Sequence, residues 1–329
     1  MAEEANPISY EDLDAIEDEF QDIDTQILRT QYELSADVYA KRAQAVARIP
    51  HFWPLVLEQA PPEIDQYILP QDSRIFGESL INLEVRRPEL GGNKGLGDPR
   101  SLAFKFEFRP NDDFEDAVLE KTFWYRRARD GWTGLVSEPV KINWKSGKDI
   151  TQGLTDMAKA LFDARRKAGN MTATDLPEYT ALRNKVESWD ALNTSFFTWF
   201  GSVSGRRYVT EEESIKANED HAALKARRAA GETVEFPEET DSDDDEAAEV
   251  HQGGDELAIS IAEDLWPNAT RFFTQAQEIE EMSDADFEED EDEDDEDEAV
   301  DIRALVRDKS GSSRAARHAD EPPNKKLKR

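Results

Sequence analysis

The chain has 329 residues, enough for about two compact domains, and carries 74 Asp and Glu against 40 Lys and Arg, a formal net charge of −34. It has no cysteine, which excludes disulfides, thiolate metal sites and thiol nucleophiles and suits a reducing compartment. So negative a chain repels nucleic-acid phosphate and anionic membrane and favours basic proteins as partners. Hydrophobic residues make up 38%, which predicts an ordered part and a solvated part. The acidic N-terminus has no apolar core, so no signal peptide is expected, and no run is long enough to cross a bilayer.

The first element is a helix from Tyr10 to Ile49, unbroken by Gly or Pro until Pro50. Leu13, Ile16, Phe20, Ile23, Ile27 and Leu34 recur in steps of three and four, or a multiple of them, the pattern of a coiled-coil seam. A rod that long outreaches a small domain, so its seam is expected to pair with a second copy; the other reading packs it only on its own chain. Pro50 and Pro54 then break and restart the chain around a short buried helix, which Pro61 and Pro62 end.

Alternation of period two follows in Leu80–Arg87 and Leu102–Arg109, where Leu102, Phe104, Phe106 and Phe108 share one face. Gly91, Gly92, Gly95 and Gly97 place a long hairpin loop between these strands. Val118–Arg126 and Val136–Trp144 read as two more strands, turning at Asp130 and Gly131. The expectation is a four-stranded antiparallel meander with helices on the phenylalanine face, an α+β arrangement.

Two amphipathic helices are expected next, on Leu154, Met157, Leu161 and Phe162 and on Tyr179, Leu182, Val186 and Trp189. Ser195–Phe200 reads as an aromatic plug, and Thr210–Gly231 as a polar helix. Thr233–Gly254, with its aspartate run, reads as an acidic loop without fixed structure. Leu257, Ile261, Leu265 and Trp266 resume an amphipathic helix up to Pro267, and Arg271–Phe273 is expected to pack back on the sheet. Every residue from Glu288 to Glu298 is acidic, a solvated tail. Lys325, Lys326, Lys328 and Arg329 form a basic cluster suited to nuclear import. The domain map is therefore 1–50 for the dimerisation helix, 51–279 for the α+β body and 280–329 for the tail.

Tyr39–Arg42 with Ile49–Trp53, Asn143–Asp149, Ser195–Phe200 and Asp264–Asn268, followed by the acidic tail, together resemble the nucleosome assembly protein family, SET-like branch. Their order and spacing agree over about residues 10–300. The resemblance implies a dimer shaped like headphones, in which paired helices form the band and each body is an earmuff with an acidic underside that holds core histones, H3–H4 or H2A–H2B. It implies a histone chaperone acting in the nucleus without ATP, and a histone acetyltransferase as a further partner. The chain departs from the pattern at the Gly-rich hairpin, at the helical stretch 154–193 and at the basic terminus. That stretch would be the docking surface if the protein is instead an acetyltransferase scaffold; inhibition of a phosphatase is a third reading.

Catalysis is not expected. His51, His221, His251 and His318 are far apart, two of them in segments read as unstructured, and no metal-ligand spacing appears. Gly147-Lys148 is followed by Asp149, not the Ser or Thr of a phosphate loop. No cofactor is expected. Histone contacts are expected on the body at Glu187, Glu263 and Asp264 and on the tail at Asp284, Asp286, Glu288, Glu289 and Asp290.

Overall fold

The computed structural model describes residues 10–90, 97–189, 194–230, 232, 234, 237 and 246–286. Helix α1, Tyr10–Val46, is 37 residues long, about 55 Å at 1.5 Å per residue. It ends in a turn before Pro50, and His51, in a left-handed conformation (φ 56°), starts α2, Phe52–Glu58. Short α3, Pro62–Asp65, and α4, Pro70–Ser79, each begin on a proline, whose missing N–H is no loss at a helix start.

The sheet is a meander, β1 Leu80–Arg86, β2 Leu102–Phe108, β3 Val118–Arg127 and β4 Thr133–Ser137, with neighbours antiparallel in that order. Leu102, Phe104, Phe106 and Phe108 all point inward, as the alternation predicts. The outer face is a lattice of alternating charge in which Lys105 stands opposite Glu84 on one side and Glu120 on the other. Strand β4 corrects the expected Val136–Trp144. Pro139 has no N–H to give a ladder, and the chain past Ser137 turns away: Ser137 N–H donates to the Val203 carbonyl and Val140 N–H to that of Phe200.

The inner face is covered by a 3₁₀ turn, Phe196–Gly201, that inserts Phe196, Trp199 and Phe200 edge-on against Phe106. Helices α5, Leu154–Ala168, and α6, Pro177–Glu187, pack on each other around Leu161 and Leu182 and form a smaller core with Ala248 and Val250. Helix α7, Glu211–Ala229, is capped by the Thr210 side chain, which accepts from Glu213 N–H. Helix α8, Gly254–Ser260, runs into one π-helical turn, Ile261–Leu265, and Pro267 separates that turn from α9, Ala269–Asp286. Arg271–Phe273 packs inward as expected: Phe272 is buried in the main core that includes the inner face of the sheet, and Phe273 stacks on Phe52 of α2 at 4.9 Å. The region 233–254 is also corrected. Its described end is packed, with Glu249, Val250 and His251 buried.

Candidate functional site

Helix α1 has two unlike faces. Leu13, Ile16, Phe20, Ile23, Ile27 and Leu34 are 51–76% exposed, an apolar stripe left open by the described residues. The other face carries Leu28, Tyr32, Ser35 and Tyr39, which line a cleft against Val85, Leu102, Ala262 and Trp266, and Val46 at its foot is buried in the main core. The rod therefore leans on its own body with one face and leaves the seam face bare.

The carboxylates expected to hold basic cargo sit apart, and each faces a cation of its own chain. Glu187, on α6, pairs with Arg183 at 2.8 Å. Glu263, on the π turn, lies 3.5 Å from Arg87, whose side chain is largely buried. Asp264 lies 3.7 Å from Arg271 and accepts from the Asn268 amide at 2.9 Å. Such half-exposed pairs add about 0–1 kcal/mol to stability, but they neutralise the field that a cargo lysine would feel. Asp284 and Asp286 fall on α9, which runs on to Asp286, beyond residue 279. Glu288, Glu289 and Asp290 lie outside the described residues, as do Lys325, Lys326, Lys328 and Arg329.

Another group of carboxylates has no such compensation. Glu63 and Asp65 on α3 and Asp255 and Glu256 on α8 come from two helices that pack together. Among the described residues none of the four is in an ion pair with a lysine or arginine. Their field is felt locally: burial first, then Glu256 and Asp255, raise the Tyr67 hydroxyl above its ordinary pKa. Sequence reasoning missed this group because its two halves are 190 residues apart; the only local signal is acid in the first turn of each helix, which also suits the helix dipole.

A buried polar cluster grips the segment 195–204. Asp72, with no exposure, accepts from Ser195 Oγ at 2.6 Å, Phe196 N–H at 3.0 Å and Leu69 N–H at 2.9 Å, and burial pushes its pKa up to about 6. His251 Nδ1 is 2.8 Å from Thr198 Oγ1, and burial holds the ring neutral with a pKa of about 3. Glu249 accepts from the N–H groups of Val203, Ser204 and His251. Lys121, wholly buried on the inner face of β3, donates to the carbonyls of Glu138, Phe200 and Ser202 at 3.0, 3.1 and 2.6 Å. Burial lowers the lysine and raises the glutamate, and each opposes the other's shift through its charge. With every one of these groups buried, the cluster reads as a tie between segments; the cavity that Glu249 and Ser204 border, about 30 Å³, has the room of a water or so. Among the described residues no group of three or more His, Asp or Glu is placed to hold a metal ion.

The profile of the family described as Nucleosome assembly protein (NAP) matches residues 3–276. A putative nucleosome assembly protein of Schizosaccharomyces pombe is 28% identical over 288 residues, 84% of this chain and 84% of its own length. NAP1-related protein 2 of Arabidopsis thaliana is 27% identical over 274 residues, 81% of this chain and 76% of its own. Among solved structures, Ccp1 aligns with 87% of this chain and 98% of its own at 25% identity and a TM-score of 0.47. The Vps75 histone chaperone aligns with 81% and 97% at 20% identity and a TM-score of 0.47.

Proposed function

The chain belongs to the nucleosome assembly protein family, and from that premise we propose that it is a histone chaperone that works as a pair of chains. The family match over residues 3–276 is the observation that carries the reading. Histones bind DNA through dense Lys and Arg, releasing counterions from the phosphates. A carrier must compete with that contact without matching its full strength, and acidic groups on a folded surface do so at modest energy. A net charge of −34 supports capture by long-range attraction. The group Glu63, Asp65, Asp255 and Glu256 supplies negative charge on the folded body, and the residues from Glu288 to Glu298 add a dense run of it. Pairing of the bare α1 stripes doubles the surface and raises effective concentration. Transfer then runs down a gradient of affinity to DNA and needs no nucleotide.

Titrating histone H3–H4 into the full chain at rising salt tests this. Affinity is expected to fall steadily as the Debye length shrinks from about 10 Å at 0.1 M to about 3 Å at 1 M. An affinity that stays level across that range would remove the electrostatic account.

A further inference from the structure

At the foot of the rod one side chain joins three elements. Arg42 of α1 reaches across to the helix break after the π turn, where its Nη1 donates to the Trp266 carbonyl and, at 3.4 Å, to that of Pro267. The guanidinium carbon lies 4.2 Å from the Trp266 ring centroid, 4.8 Å from Tyr39 and 5.8 Å from Trp53 of α2. Trp53 and Trp266 are themselves stacked at 5.3 Å, within 2° of parallel, and Tyr39 leans on Trp266 at 5.6 Å. Arg42 Nη2 is buried and makes no hydrogen bond to a described residue, so the surrounding aromatic rings supply the remaining contact for the cation.

Above this point the rod is held loosely. A cleft of about 270 Å³ opens between α1 and the body. Beyond it lie polar tethers, Arg29 to the Gly97 carbonyl at 2.5 Å and Lys225 to Asp22 at 3.4 Å. Polar contacts at a partly exposed surface contribute about 0–1 kcal/mol each.

We propose that Arg42 is a positioning residue: it fixes the angle at which the body hangs from the rod, and so the separation of the two acidic surfaces in a pair of chains. The second half of that statement rests on the paired-chaperone reading above. The residue type fits the task. A planar guanidinium donates in its plane to the carbonyls while its faces stack on rings, which a lysine ammonium cannot do at once. The carbonyls are there to be taken because the π turn and Pro267 interrupt the helical ladder. A histone meeting two surfaces already at the right spacing spends none of its binding energy ordering them.

The chain has no cysteine, so Glu212→Cys on exposed α7 carries a unique spin label, and a pair of chains then has one label-to-label distance. Wild type is expected to give a narrow distance distribution. Arg42→Met, similar in length and able to fill the same space, is expected to broaden it and weaken H3–H4 binding by about tenfold, the cost of ordering a freed element on binding, with the dimer intact by sedimentation. Arg42→Lys, which keeps the charge, is expected to fall between the two and serves if the methionine variant does not fold. A distribution equally narrow in both variants overturns the proposal. A wild-type label with no partner signal, on a chain that sediments as a monomer, would instead refute the paired-chain reading; a second label on α1, Glu19→Cys, then reads the rod-to-body distance within one chain, and no broadening there in Arg42→Met overturns the clamp as well.

Discussion

Asp72, Glu249 and His251 hang on one short segment of core, and burial acts on them in opposite directions. His251 is held neutral, with its pKa lowered from 6.5 to about 3, so its contribution to stability is full above pH 6.5 and is lost as pH falls toward 3. Asp72 is raised from 3.8 to about 6; its contribution is full below 3.8 and is lost as pH rises through 6. Between those limits the two oppose, and Glu249, whose carboxyl burial also raises, acts with Asp72, so acid loosens the body only below about pH 3.8, where the histidine alone of the three is still changing. Asp72→Asn should cost about 1–3 kcal/mol by leaving a donor facing donors, and its melting temperature should drop more steeply than wild type between pH 6 and pH 4. Parallel melting curves would mean that Asp72 does not titrate in that window. Part of this cluster was legible beforehand: alternation along β3 places Lys121 on the same side as Leu119 and Phe123. Glu249 and His251 were not, because their aspartate-rich surroundings read as loop, and what orders them comes from amides at Val203 and Ser204, far off in sequence.

At the scale of elements, the rod, the phenylalanine strand and the aromatic plug were all readable, since periodicity is a local property. The second face of α1 was not. Tyr32, Ser35, Tyr39 and Arg42 are polar or aromatic, and nothing local says that they face the body, Tyr39 and Arg42 against Trp266. Strand β4 was placed too late because Val140 and Ile142 continue an apolar alternation that Pro139 stops from pairing. The bare stripe yields a sharp expectation. Ile23→Asp with Ile27→Asp puts charge where a second rod would lie, at several kcal/mol if buried unpaired. Because both positions are exposed in the single chain, the body should melt as before while sedimentation shows a monomer. A dimer of unchanged strength would show that the seam lies elsewhere.

Across the whole molecule, net charge says less than its placement. Position in the sequence points to Glu187, Glu263 and Asp264, yet each is screened by an arginine, whereas α3 and α8 together hold four carboxylates with none among the described residues. Replacing Glu63, Asp65, Asp255 and Glu256 by their amides should weaken H3–H4 binding at low salt, by about 1 kcal/mol or more if each meets a cargo cation in partly dry contact. The same change at Glu187, Glu263 and Asp264 should matter little. Equal losses from both sets, measured by titration calorimetry, would show that cargo senses only total charge.

If chains pair along α1 as proposed, the strip also ties the protein's working form to its abundance. Mass action would set the fraction of mated chains, so dilution would leave solitary molecules with a greasy flank in water, prone to sticking and carrying one cargo surface where the mated form would have two.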